Sequence, residues 1–289
     1  MKKIRRYRIN LREIRINLEC NQDCPFCNTD EKAENVILDE KSIRKKIKTW
    51  SGQGIRYLSI TGREPTLYPG IIDLVKWAGE CGYRKISLQT NALLFSDKNF
   101  GRRLKEAGLN DIFISFHSCR EKNYNRITRS RTFRRAVSGI KNILTLKIET
   151  TINIVVNSLN YKELPDLADF ISRQFKGTGH VTFSFVAPAG KAGKNRWIIP
   201  RISLIIPYLT RAIEKTTANG INVRIPSRCG FPVCFLPAYS GLFDDLTTIH
   251  PWNKTKMQGK IKTLKCRLCR FNDRCSGFWK DYVRLYGFK

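Results

Sequence analysis

Glu13-Ile-Arg-Ile-Asn-Leu18 leads through Glu19 into Cys20-Asn-Gln-Asp-Cys24-Pro-Phe-Cys27. Polar and apolar side chains alternate over 13–18, the period of a strand, and the loop that follows carries three cysteines. Downstream the strand signal keeps returning, each time after a helical one. Helices are expected over 39–50 (with Asp39 as N-cap), 71–81, 96–107, 133–144 and 164–175, and strands over 57–60, 85–89, 111–116, 149–156 and 180–186. Gly82 and Gly108 stand where helices should stop. Six alternations of strand and helix predict parallel βαβ units, wound by right-handed crossovers into an open or closed barrel. In such sheets the chemistry gathers at the carboxyl ends of the strands, which is where the cysteine loop falls.

After Pro188 the rhythm changes. Residues 187–194 read as a loop and 202–218 as a further helix that starts or kinks at Pro207, and 221–225 can form one more strand. From Pro226 the alternation ends and cysteines return. The expected organisation is an α/β core over 1–225 and a small cysteine-ligated domain over 226–289.

The chain has 289 residues, 42% of them hydrophobic, enough for a sizeable core. Lys and Arg number 53 against 24 Asp and Glu, a formal charge of +29, with runs at 2–8, 44–48 and 126–135. An anionic molecule, an acidic peptide or nucleic acid suits such a surface. Residues 1–17 contain no apolar signal-peptide core, and no stretch of about 18 apolar residues occurs. A cytoplasmic protein without a membrane partner is expected. In a reducing compartment clustered cysteines read as metal ligands rather than disulfides. Of the ten, three lie at 20–27 and five at 229–275, while Cys81 and Cys119 stand alone.

Three thiols on one loop leave one corner of an iron–sulfur cubane open for a ligand with amine and carboxylate groups. Structural zinc prefers paired CxxC units and a fourth ligand. Three other segments fall at strand ends: Thr61-Gly62-Arg63-Glu64-Pro65, Gln89-Thr90-Asn91 and Ser115-Phe116-His117-Ser118. Alone, each has an ordinary structural reading as a turn, a surface polar group or a satisfied core histidine.

Together they resemble the radical S-adenosylmethionine (SAM) superfamily, in which a CxxxCxxC loop with an aromatic before the third cysteine follows the first strand. The resemblance implies a partial (β/α)6 TIM-like barrel. Cys20, Cys24 and Cys27 would hold a 4Fe–4S cluster whose open iron binds SAM, and Phe26 would lie near the adenine. Gly62-Arg63-Glu64-Pro65 looks like the family's GGEP motif with Arg63 in place of the second glycine, and Glu64 would meet the SAM ammonium. Thr90 and Asn91 would face the ribose or the substrate, Ser115 the ribose, and Arg126 the SAM carboxylate. The end of the strand at Phe185 and Val186 would pack on the adenine. Cys266-Arg-Leu-Cys269 with Cys275 six residues on resembles the auxiliary-cluster domains called SPASM and Twitch. Five cysteines suffice for one auxiliary 4Fe–4S cluster, on Cys234, Cys266, Cys269 and Cys275 with Cys229 spare or exchanging with Cys234. A structural zinc fits the same spacing.

The expected activity is reductive cleavage of SAM to a 5′-deoxyadenosyl radical that takes a hydrogen atom from a substrate. Its foremost use would be oxidative modification or crosslinking of a ribosomal peptide, with an electron donor such as flavodoxin or ferredoxin. Modification of RNA, a nucleotide or another small molecule is the alternative. A non-enzymatic iron–sulfur or zinc protein that binds nucleic acid is the second. The sequence names no catalytic side chain beyond the cofactor ligands.

Overall fold

The computed structural model describes residues 7–8, 10–28, 39–226, 229–249 and 259–288. The basic run at 2–8 lies almost entirely outside them. Strand β1 is Tyr7–Arg8, and β2 (Leu11–Arg15) opens a seven-stranded, all-parallel sheet. It continues through β3 (Tyr57–Thr61), β4 (Lys85–Thr90), β5 (Asp111–Ser115), β6 (Glu149–Val156), β7 (His180–Phe185) and β8 (Asn222–Arg224), in sequence order. The described strands β2 and β8 do not pair, so the sheet stays open. The expected α/β partial barrel is present with one strand more than six, because the short segment at 222–224 adds to β7.

Helices α1 (Glu40–Gly52), α2 (Ile71–Glu80), α3 (Lys98–Glu106), α4 (Glu121–Thr128), α5 (Phe133–Thr145) and α6 (Leu164–Gln174) supply the crossovers. Asp39 caps α1 as expected, its Oδ1 accepting from the Ser42 N–H at 2.8 Å. Ile43 and Ile47, one turn apart, are the buried stripe of that helix. Helix α7 (Lys191–Lys194) interrupts the expected loop, and α8 (Ile202–Ala218) runs through Pro207 instead of starting there. Helix α4 was not legible, since Glu-Lys-Asn-Tyr-Asn-Arg-Ile-Thr offers only Tyr124 and Ile127 as apolar anchors.

Parallel sheets covered by helices on both faces read as unbroken apolar runs. These strands instead alternate. Leu58, Ile60, Ile86, Leu88, Ile112, Ile114, Ile152, Ile154, Val181 and Phe183 belong to the buried core. Their alternates Ser59, Ser87, Gln89, Ser115, Asn153 and Ser184 share the other face across the register. That inner face is knitted by polar bonds: Gln89 Nε2 donates to Glu13 Oε2 and Ser59 Oγ, both at 3.1 Å, and Ser184 Oγ donates to Asn153 Oδ1 at 2.7 Å. One face is apolar core throughout, while the other is mostly polar, broken by Phe113 and Val155.

Residues past 226 pack directly on this core. Ile225 bridges to Phe243, β1 pairs in parallel with β9 (Thr248–Ile249), and Phe185 stands 5.3 Å from Phe231 and 5.7 Å from Tyr282 between ring centroids. Strands β10 (Lys260–Ile261) and β11 (Phe278–Trp279) form an antiparallel pair before α9 (Lys280–Tyr286). No helix among the described residues is long and apolar enough to cross a membrane.

Candidate active site at the carboxyl ends of the strands

Strand β2 ends at Arg15, three residues before the expected end, so residues 16–19 are an extended link into the cysteine loop. The link keeps irregular pairing with the next strand end. Ile16 N–H donates to Thr61 O at 2.9 Å and Glu64 N–H to Glu19 O at 2.9 Å. Gly62 is required here, because a Cβ on it would stand 2.0 Å from Asn17 Oδ1.

Cys20, Cys24 and Cys27 are all unpaired thiols, half-buried on this loop. Burial is the main force raising the Cys20 thiol to about 11; the negative fields of Glu64 and Cys27 add to it, and the Gln22 N–H opposes. Burial likewise pushes the Cys24 thiol up, reinforced by Cys27, Cys20 and Asp23. Sulfur groups this close in a half-dry loop would shed their protons together only for a cationic guest. The donor set, all sulfur and one short of four, fits an iron–sulfur cluster with an open corner. Among the described residues no three His, Cys, Asp or Glu side chains gather closely enough to chelate a single ion.

Glu64 is completely buried and caps the 3-10 turn Pro65–Leu67. Its Oε1 accepts from Thr66 N–H (3.1 Å), Thr66 O–H (2.6 Å) and Thr90 O–H (2.7 Å), and its Oε2 from Asn91 N–H (2.7 Å). Burial raises its pKa, against those four donors. Thr90 and Asn91 thus bind the protein's own carboxylate, and Asn91 Nδ2 also donates to Asn21 Oδ1 at 2.7 Å, tying β4 to the cysteine loop. Pro65 is buried in the turn.

Phe26 is buried and meets the His117 ring edge-on, centroids 5.2 Å apart. His117 Nδ1 accepts from Val155 N–H at 3.2 Å, which leaves the ring proton on Nε2. Burial lowers its pKa to about 4, so this histidine is a neutral bolt between β5, β6 and the cysteine loop. Below its usual value of 6.5 the unfolded chain takes up a proton that the folded protein refuses. Stability should therefore fall as pH drops from 6.5 towards 4, by about 2 kcal/mol at pH 5 from this group, with no contribution above 6.5. His117→Asn keeps an acceptor for Val155 and should flatten that fall in thermal denaturation at pH 7 and pH 5. Equal acid sensitivity in both proteins would remove the assignment.

Ser115 ends β5 on the polar face. Arg126 is exposed on α4 and lines a groove of about 350 Å³ with Arg120, Lys122, Asn123, Lys162 and Glu163. No hydrogen bond or ring contact among the described residues joins either to the cluster of Cys20, Glu64, Thr90 and Asn91. Phe185 and Val186 are buried at the end of β7.

Lys191 and Asn195, unnoticed in the sequence, also hold the cysteine loop. Lys191 N–H donates to Cys27 O at 3.0 Å, its ammonium pairs with Asp23, and Asn195 Nδ2 donates to Pro25 O at 3.2 Å. Gly190, at φ +55°, lets this approach happen, since a Cβ there would come within 2.6 Å of Cys27 O.

In the C-terminal region Cys234, Cys266, Cys269 and Cys275 line one small cavity with Pro232, Phe271 and Phe278. Cys229 is not in its wall; its carbonyl accepts from Phe185 N–H. Burial raises the Cys234 thiol to about 11, helped by Cys275, Cys269 and Cys266.

Residues 14–171 match the model of the Radical SAM superfamily. A protein named probable GTP 3',8-cyclase from Saccharolobus islandicus is 34% identical over 158 residues, 53% of this chain and 51% of that one, so the chain spans about half the length of such relatives. The GTP 3',8-cyclase of Alkaliphilus metalliredigens is 30% identical over 236 residues, 77% of this chain and 71% of its own. Among solved structures, Streptococcus suis SuiB bound to precursor peptide SuiA superposes with a TM-score of 0.68 at 16% identity, covering 97% of this chain and 73% of that one. Methylornithine synthase (PylB) gives 0.60 at 15%, over 97% and 81%. The low identities make these two a likeness of fold. The sequence matches reach further: with more than half its length fitted by one family's model, the chain belongs to the radical SAM superfamily.

Proposed function

We propose that this protein cleaves SAM reductively and uses the resulting radical on a nucleotide or a comparably polar, anionic small molecule. The carrying observation is the half-buried trio Cys20, Cys24 and Cys27, held at the carboxyl ends of an open parallel sheet with one mostly polar face. Cys20, Cys24 and Cys27 would hold the family's 4Fe–4S cluster, which would supply the electron for reductive cleavage of SAM. The chain's own residues do the rest. Glu64 offers the SAM ammonium a buried carboxylate so far met only by neutral donors. Phe26, braced by His117, gives the adenine an apolar wall. Ser59, Gln89, Ser115, Asn153 and Ser184 would offer the substrate donors and acceptors on the polar face of the sheet.

The curated relatives named for a nucleotide substrate turn the choice away from the ribosomal peptide that the C-terminal cysteines suggested. Those cysteines keep a role. The shared cavity of Cys234, Cys266, Cys269 and Cys275 suits an auxiliary iron–sulfur cluster. Cys266→Ala with Cys269→Ala should abolish turnover of the true substrate while uncoupled SAM cleavage partly survives. Zinc in place of iron in anaerobically prepared protein would reduce this region to a structural clip. The substrate reading is tested by incubating reduced, reconstituted protein and SAM with nucleoside triphosphates. Substrate-dependent 5′-deoxyadenosine and a product of altered mass are expected; stimulation by peptides alone would overturn it.

A further inference from the structure

The C-terminal cysteine loop has an unusual outside. Leu264 and Leu268, at the two ends of the 3-10 turn Leu264–Leu268, are 74% and 95% exposed. Leu268 stands between Cys266 and Cys269, while Phe271 and Phe278 of the same region turn into the cavity. The loop thus has apolar side chains for its interior and two more left in water, each forgoing about 1.5–3 kcal/mol of burial. Around them lie exposed Lys262, Lys265, Arg267, Arg270 and Arg274, against the single acid Asp273. An apolar centre inside a cationic rim is the surface of a small, charge-steered protein interface.

We propose that this loop is the docking face for an acidic protein that carries single electrons. The inference rests on the reading of the four C-terminal cysteines as holders of a redox centre. A partner seated on Leu268 lies beside Cys269 in the chain and two residues from Cys266, on the outer side of the cavity that those thiols line. Leucines give no flat ring on which a nucleic-acid base can stack, so the loop suits an acidic, apolar-centred protein face. Electron-transfer encounters are small and weak, with less than about 1,200 Å² buried, in keeping with two leucines and five cations. The exchange is one electron from the reduced carrier to the thiol-held centre. The carrier is oxidised by one, the centre is reduced by one, and no atom or proton changes hands.

The test uses the full chain, reconstituted without oxygen, and an oxidised flavodoxin as probe in calorimetric titration. The wild type should bind with a Kd in the micromolar range that weakens at least about tenfold between 50 and 300 mM salt. Lys265→Glu with Arg267→Glu should weaken binding at low salt about tenfold or more, and Leu268→Ser about threefold to tenfold. The same variants should lose flavodoxin-driven 5′-deoxyadenosine formation and keep the dithionite-driven reaction. Iron analysis separates the two levels. Iron at the first site only, with binding intact, would defeat the redox-centre reading. Full iron with no binding, or binding unchanged in these variants and lost instead on Lys122→Glu with Arg126→Glu, would overturn the docking face. So would a short single-stranded RNA that binds this loop where flavodoxin does not.

Discussion

Replacing Cys20, Cys24 and Cys27 together by alanine should abolish 5′-deoxyadenosine formation from SAM and remove about four irons per chain from anaerobically reconstituted protein. The loss should be complete, because three protein thiolates are the least that leaves a cubane attached with one corner open. The fold should survive. The loop is held by contacts that owe nothing to its sulfurs: Asn91 Nδ2 to Asn21 Oδ1, Lys191 N–H to Cys27 O, and Asn195 Nδ2 to Pro25 O. Circular dichroism of the apo variant should therefore match that of the apo wild type. Iron count, chromatography of the nucleoside and the spectrum make one experiment. A wild type that is fully loaded and reduced yet yields no 5′-deoxyadenosine would end the assignment, as would a triple variant that still makes it.

Glu64→Gln should weaken SAM binding about ten- to a hundredfold, the loss of one charge-assisted bond of roughly 1.5–3 kcal/mol, with the iron content of the first site unchanged. The structure adds a second cost. Both carboxylate oxygens already accept from N–H or O–H groups, so either orientation of the glutamine amide turns its N–H₂ against a donor. Loss of melting temperature should accompany the loss of affinity. Thr90→Val separates the two contributions: it removes one donor to Oε1 and leaves the charge. If Glu64 acts through its charge, Thr90→Val should bind SAM far better than Glu64→Gln at equal destabilisation. Equal affinities in the two variants would make Glu64 a tie between strand ends and nothing more.

The fold was legible because helix and strand keep their own periods, and five of the six expected crossover strands lie within a residue of their places. The first strand was misplaced because Ile14 and Ile16 alternate straight across its end, and hydrogen bonding rather than pattern decides where pairing stops. The mostly polar face was written in the same strands: Ser59, Ser87, Gln89, Asn153 and Ser184 interrupt the apolar runs that a sheet buried on both sides would show. At the candidate site, cysteine spacing and the Gly62–Pro65 segment pointed to two stretches that the fold joins through Glu64 N–H and Glu19 O. The fasteners did not show. Asn21 with Asn91, and Lys191 with Cys27, join residues 70 and more than 160 positions apart, and a lone Asn or Lys in a loop carries no sign of its partner. Burial of Glu64 behind four donors was invisible for the same reason.

The grip of Gly190, Lys191 and Asn195 on residues 23–27 has a bearing on how the protein is made. Part of the backbone that holds the cysteine loop emerges only after β7, some 160 residues after the loop itself. Contacts so distant in sequence form late, once the intervening loop entropy has been overcome. At about 5–20 residues per second, a nascent chain therefore carries its three thiols without this grip for roughly ten to thirty seconds after they are made. Metal that arrived in that interval would meet a trithiol loop that lacks part of its support. Cluster delivery timed to the finished loop would wait until residues 190–195 have folded against residues 23–27.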